Sequence, residues 1–153
     1  MQMSKVPIIS GYVLANRDQQ AILDGAKSNS APVSSGVPQG TLLGPMLFLL
    51  YISDLLSNVN ATGRRFADDC LVYRTINTTD DAVSLQNNLD TLQQWEKDWL
   101  MPLNPDKCEV IRITNKEKII DAKYTIHGQV FLEANRAKYL GVTIDNTLSW
   151  KSY

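Results

Sequence analysis

Two adjacent aspartates, Asp68 and Asp69, lie between short apolar, β-prone runs in Arg64-Arg65-Phe66-Ala67-Asp68-Asp69-Cys70-Leu71-Val72-Tyr73. Carboxylates ~4 Å apart repel by about 1 kcal/mol in water and by about 4 kcal/mol near a protein surface. Such a pair in a tight bend either stays wet or binds a cation. Magnesium takes hard oxygen ligands, commonly one or two carboxylates together with substrate phosphates. The pair therefore suits phosphoryl transfer through metal ions. Aspartate is equally a turn residue, so the pair alone also fits a solvated bend. Successive strand side chains alternate faces, which gives the two unequal roles, one reaching the metals and the other at the bend.

Upstream lies Ser35-Gly36-Val37-Pro38-Gln39-Gly40-Thr41-Leu42-Leu43-Gly44-Pro45-Met46-Leu47-Phe48. Its glycines and prolines rule out regular helix or central strand over the first part. Pro45 suits a helix start, where its missing N–H costs nothing. From Met46 to Leu56 the chain is apolar on nearly every side and too short to span a bilayer, so it reads as a core helix. The loop is either a turn leading into that helix or a backbone-lined surface on which a nucleotide sits closely, with the Gln39 amide as a polar handle.

Taken together, S-G-V-P-Q-G-T-x-L-G-P-x-L-F and R-x-F-A-D-D-C-L-V-Y closely resemble the reverse transcriptases of non-LTR (LINE-like) retrotransposons. Leu103-Asn104-Pro105-Asp106-Lys107-Cys108-Glu109 looks like the next family block, and Lys138-Tyr139-Leu140-Gly141-Val142-Thr143-Ile144-Asp145 like the one after it. Asn16-Arg17 and Leu23 to Ser28 fit the strand region before the loop. The resemblance covers residues 8 to 153.

The resemblance implies an RNA-directed DNA polymerase, a nucleotidyltransferase. It would join a dNTP to a DNA primer 3′-hydroxyl on an RNA template with Mg²⁺, or Mn²⁺, as cofactor. Asp68 and Asp69 would be the catalytic metal ligands. Gly36, Pro38, Gln39 and Gly40 would shape the nucleotide pocket. Lys107 would lie near the triphosphate, although a lysine in a polar turn is the plain alternative. Leu140 and Gly141 would support the primer end. The fold implied is α+β, a partial polymerase palm with helices packed on a largely antiparallel sheet and an Asp-Asp hairpin.

The chain departs from the family's pattern. The palm needs another aspartate on a strand well upstream of the loop, and nothing before residue 30 fits. Asp24 sits too close to Gly36 and matches the strand leading into the loop. Fingers and thumb segments are missing too. Residues 1–153 thus read as one partial domain, either a segment of a longer enzyme or a non-catalytic remnant with at most a binding role.

Composition sets limits. The chain has 153 residues, 44% hydrophobic, with a formal net charge of −1. Nucleic-acid binders usually carry a basic surface, so the balance argues against strong autonomous binding. Cys70 and Cys108 lack zinc spacing and read as free thiols in a reducing compartment. With no leader at Met1 to Pro7 and no apolar span, an intracellular protein away from membranes is expected.

The elements that must position these residues follow from periodicity. A hairpin should carry the aspartates at its bend. Ala82, Leu85, Leu89, Leu92, Trp95 and Trp99 form one helical stripe, N-capped near Thr79 and stopped by Pro102. Its two tryptophans belong to a core sooner than to base stacking. Cys108 to Ile113, Tyr124 to Ile126, Val130 to Leu132 and Tyr139 to Ile144 read as strands, with His127-Gly128 as a bend.

Overall fold

The computed structural model describes residues 15–38 and 40–148. The chain falls into two compact units that divide between Asp54 and Leu55.

The first unit begins with four short strands, β1 (Arg17–Gln19), β2 (Ile22–Leu23), β3 (Ala26–Lys27) and β4 (Ala31–Val33). β2 and β3 form a hairpin, and β1 pairs antiparallel with β4. Asp24 and Gly25 close the hairpin at φ 49° and 82°, the left-handed pair that two-residue hairpins favour. Asp24 is thus a turn residue.

Helix α1 runs from Leu43 to Tyr51, earlier at both ends than the expected Met46 to Leu56. Thr41 explains the start. Its hydroxyl donates to the Pro38 carbonyl and accepts from the Gly44 N–H, both at 3.0 Å. One first-turn donor is thereby satisfied ahead of Pro45, and a proline within the first turn forfeits no helical bond. A Cβ on Gly44 would run into the Pro38 carbonyl oxygen, so glycine is needed where loop and helix touch.

The expectation of a buried helix is corrected. Gly44 and Leu47 are buried, but Leu43, Met46, Leu49 and Leu50 are 52%, 65%, 47% and 40% exposed. The helix is apolar all round, and only one side of it is covered. Exposed apolar patches of this kind drive association. The purified chain should therefore bind a hydrophobic dye and elute as a polydisperse species, and Met46→Glu with Leu49→Lys should reduce both signals. A monodisperse wild type without dye binding would show that this face is covered in solution.

The second unit is built around α2 (Thr79–Trp99). Before it lie β5 (Thr62–Phe66) and β6 (Asp69–Tyr73). After it come a 3₁₀ turn at Pro105–Lys107, then β7 (Glu109–Val110), β8 (Thr125–Ile126), β9 (Gln129–Val130), β10 (Leu132–Glu133), β11 (Arg136–Tyr139) and β12 (Val142–Asp145). The core holds Leu55, Ala82, Leu89, Leu92, Trp95, Tyr124 and Ile126. Trp95 and Trp99 stack on each other, with ring centroids 6.0 Å apart.

Polar side chains dock α2 on β8. Gln86 accepts from the Thr125 N–H at 2.9 Å and donates to its carbonyl at 3.0 Å, as a neighbouring strand would. Gln93 accepts from the His127 N–H, and the His127 ring meets the buried Glu96 carboxylate at 2.8 Å. His127 and Gly128 have φ 53° and 74° and form the bend of the β8–β9 hairpin. Buried Asn88 is satisfied by the Asn60 N–H and the Ser84 carbonyl.

The mixture of helices and antiparallel strands agrees with an α+β class, but not as one sheet. Among the described residues there are six two-stranded sheets, five antiparallel and one, β7 with β10, parallel. Most close through short local loops, whereas joining them requires distant pairings with a larger closure entropy. Cys108 to Ile113 contributes only the two residues of β7. Val130 to Leu132 is split between β9 and β10. Tyr139 to Ile144 is not one strand either: Leu140 and Gly141, at φ 52° and 81°, turn the chain back as the β11–β12 hairpin.

The helix cap is Thr78, one residue before the expected Thr79. Its hydroxyl accepts from the Asp81 N–H, and the Asp81 carboxylate accepts from the Thr78 N–H, a capping box. Hydrogen bonds from the Asn77 N–H, the Thr78 hydroxyl and the Thr78 N–H, with Arg74 nearby, hold the Asp81 carboxyl below its usual range. The folded carboxyl is thus more acidic than the unfolded one. Its stabilising contribution is present above the ordinary carboxylate pKa and is lost as pH falls through the folded value. Thr78→Ala should cost about 1 kcal/mol at neutral pH. Urea melts should show that loss shrinking in acid below about pH 4, and a pH-independent loss would contradict the coupling.

Candidate functional site

The second unit presents its carboxylates on the β5–β6 hairpin. The strands pair from Thr62↔Tyr73 to Phe66↔Asp69, leaving Ala67 and Asp68 as a two-residue turn. Ala67 has φ 49°, a left-handed backbone that costs a non-glycine residue about 1–2 kcal/mol. Such strain at a turn is often kept for function. Asp68 occupies the turn, and Asp69 opens β6, so the two stand in unlike positions. Both are exposed, and no side-chain hydrogen bond or ion pair engages either among the described residues.

Next to them, Cys70 has its thiol pushed up by the protein atoms crowded around it, although the residue as a whole counts as exposed. Arg65 pulls it down, and the Cys108 thiol is near enough to push it up further. Cys108 ends the block that holds Lys107, and its own thiol is raised by burial. Lys107 is exposed at the end of the 3₁₀ turn, which Asn104 caps by accepting from the Asp106 N–H. Leu140 and Gly141 sit on their own turn in the same unit.

Gly36, Pro38 and Gly40 belong to the first unit. Gly36 and Gly40 adopt φ 79° and 75°, and the Gly36 carbonyl accepts from Arg17 at 2.6 Å. Gln39 lies outside the described residues. The loop is therefore shaped by left-handed glycines and by the Pro38–Thr41–Gly44 contacts.

The donor chemistry of Asp68 and Asp69 suits Mg²⁺ or Mn²⁺, which share carboxylates with substrate phosphates. The set is small: among the described residues, no group of three or more His, Cys, Asp or Glu side chains could hold a metal. Two exposed carboxylates should hold Mg²⁺ with millimolar affinity or weaker, about −4 kcal/mol at best. Asp68→Asn should abolish it. Micromolar binding by calorimetry that survives this substitution would put the metal elsewhere. No helix among the described residues is long and apolar enough to cross a membrane.

Residues 1–144 match the family described as Reverse transcriptase (RNA-dependent DNA polymerase). The chain is 30% identical over 149 residues to the RNA-directed DNA polymerase from mobile element jockey of Drosophila melanogaster, covering 92% of this chain and 16% of that protein. It is 33% identical over 134 residues to the probable RNA-directed DNA polymerase from transposon X-element of the same species, covering 84% and 15%. To the Pol polyprotein from type-1 retrotransposable element R2 of Popillia japonica it is 27% identical over 146 residues, covering 82% and 23%. The chain spans less than a quarter of the length of these relatives.

Proposed function

This chain belongs to the reverse transcriptase family, the RNA-dependent DNA polymerases, and from that premise we propose that it is a palm segment of a non-LTR retrotransposon polymerase. In this reading residues 1–153 act as one partial domain within a longer enzyme. That enzyme adds dNTPs to a DNA primer 3′-hydroxyl on an RNA template, inside the cell. The observation that carries the reading is the pair of exposed carboxylates, Asp68 in the strained β5–β6 turn and Asp69 at the start of β6, with no side-chain partner among the described residues, in a chain matched to this family over residues 1–144.

Asp68 and Asp69 would hold the divalent ions, Mg²⁺ or Mn²⁺. When bound, two such ions activate the attacking hydroxyl and stabilise the leaving oxygen. Gly36, Pro38, Gln39 and Gly40 would seat the incoming nucleotide against its template base, their left-handed glycines permitting close backbone approach. Lys107, an exposed ammonium, would face the triphosphate. Leu140 and Gly141 would support the primer through the β11–β12 turn. A further carboxylate would come from outside these residues, in keeping with the small donor set.

A non-catalytic role is the second reading, favoured by the net charge of −1 and the lack of a three-donor cluster among the described residues. Primer extension separates the two. A complete related polymerase that carries this chain in place of its matching segment should extend a primer on RNA, and a folded but inert chimera would favour the remnant.

A further inference from the structure

Arg17 opens β1 and lies opposite Val33, the last residue of β4. Its side chain does not stop at that partner. The guanidinium reaches past the end of β4 and donates to the Gly36 carbonyl, 19 residues ahead, at 2.6 Å. Arg17 is half-buried, whereas Asp18, Gln19, Ala31 and Pro32 of the same strand pair are exposed. At the far end of the loop, the Thr41 hydroxyl donates to the Pro38 carbonyl at 3.0 Å. The carbonyls on either side of Val37 are thus each held by a side chain from outside Gly36–Gly40.

Peptide geometry gives these bonds a consequence. A trans peptide is planar, with its C=O and N–H pointing opposite ways. The bond that draws the Gly36 carbonyl to Arg17 therefore turns the Val37 N–H away from Arg17. Pro38 has no N–H, so Val37 carries the only backbone donor of the Val37-Pro38 pair. Packing does not fix this path. Gly36 and Gly40 take φ 79° and 75°, and a Cβ at either would meet nothing within 4 Å. The loop is open there, and Arg17 sets the direction of its donor. An arginine gives up rotamer freedom to make such a bond, and a merely solvated turn gains little in return.

We infer that Arg17 is a positioning residue for nucleotide binding: by holding the Gly36 carbonyl, it aims the Val37 N–H at an oxygen of the incoming nucleoside triphosphate. The inference rests on the nucleotidyl-transfer reading and adds to it a residue on β1, outside the loop itself.

The test has one arm on the full chain and one on the complete related polymerase that carries it. In the full chain, Arg17→Met should speed hydrogen exchange over residues 34–44 about ten-fold, the factor that one lost charge-assisted hydrogen bond is worth. Exchange over the β2–β3 hairpin should not change. In the chimera, Arg17→Met should raise KM for the dNTP about ten-fold and leave kcat and the KM for primer–template as in wild type, the mark of lost binding alone. Arg17→Lys, whose ammonium also donates, should recover most of the loss. Ser28→Ala removes a bond from the Ala21 N–H at 3.0 Å beside the hairpin and should alter neither the dNTP KM nor exchange over the loop. A wild-type dNTP KM in Arg17→Met would overturn the inference and leave the polymerase reading standing. Unchanged loop exchange, an equal rise in KM for primer–template, or an Arg17→Lys as impaired as Arg17→Met would do the same. A chimera inert without any substitution would overturn the polymerase reading, and the inference with it.

Discussion

In a complete related reverse transcriptase carrying this chain in place of its matching segment, Asp68→Asn should lower primer extension by about 10²–10³-fold or more, while Asp24→Asn keeps most of it. Phosphoryl transfer depends mainly on positioning and electrostatic stabilisation, and removing one preorganised charged or polar group from such a site costs about that factor. Among the described residues no side-chain partner engages the Asp68 carboxylate, and Ala67 beside it has a left-handed backbone. Asp24 closes the exposed β2–β3 hairpin with Gly25, where asparagine tolerates the same left-handed backbone. Single-turnover extension would measure both. A lethal Asp24→Asn beside a harmless Asp68→Asn would show that the chain has been matched to the palm in the wrong register.

Trp95→Ala should destabilise the second unit by about 3–5 kcal/mol, a large share of the ~5–15 kcal/mol that holds an ordinary domain together. Trp95 is 8% exposed within the α2 core and stacks on Trp99. Trp99 is half-buried, so Trp99→Ala should cost less. Urea unfolding followed by circular dichroism would give both values. If Trp95→Ala melted like wild type but lost affinity for single strands, its ring would be a stacking platform and not a core residue.

Much of α2 was legible because a helical stripe is a local periodic signal. Ala82, Leu89, Leu92 and Trp95 fall on it, and all four are buried. The cap was misread by one residue because Thr78 and Thr79 are alike in sequence, and only the return bond from Asp81 distinguishes them. The His127-Gly128 bend was legible as turn chemistry. Leu140-Gly141 was not, since a leucine at φ 52° carries no turn signature and the apolar run around it reads as a strand.

By itself the sequence determined the family, the carboxylate pair, the glycine-proline loop and the long helix, because each is written in neighbouring residues or in a short period. The tertiary structure alone decided that α1 buries Leu47 but leaves Leu43, Met46, Leu49 and Leu50 exposed. It also decided that the strands form separate pairs and that Gln86 and Gln93 finish the β8 edge. Those outcomes depend on contacts between segments far apart in the chain. Their closure entropy and the burial they gain in return are fixed only when the segments meet.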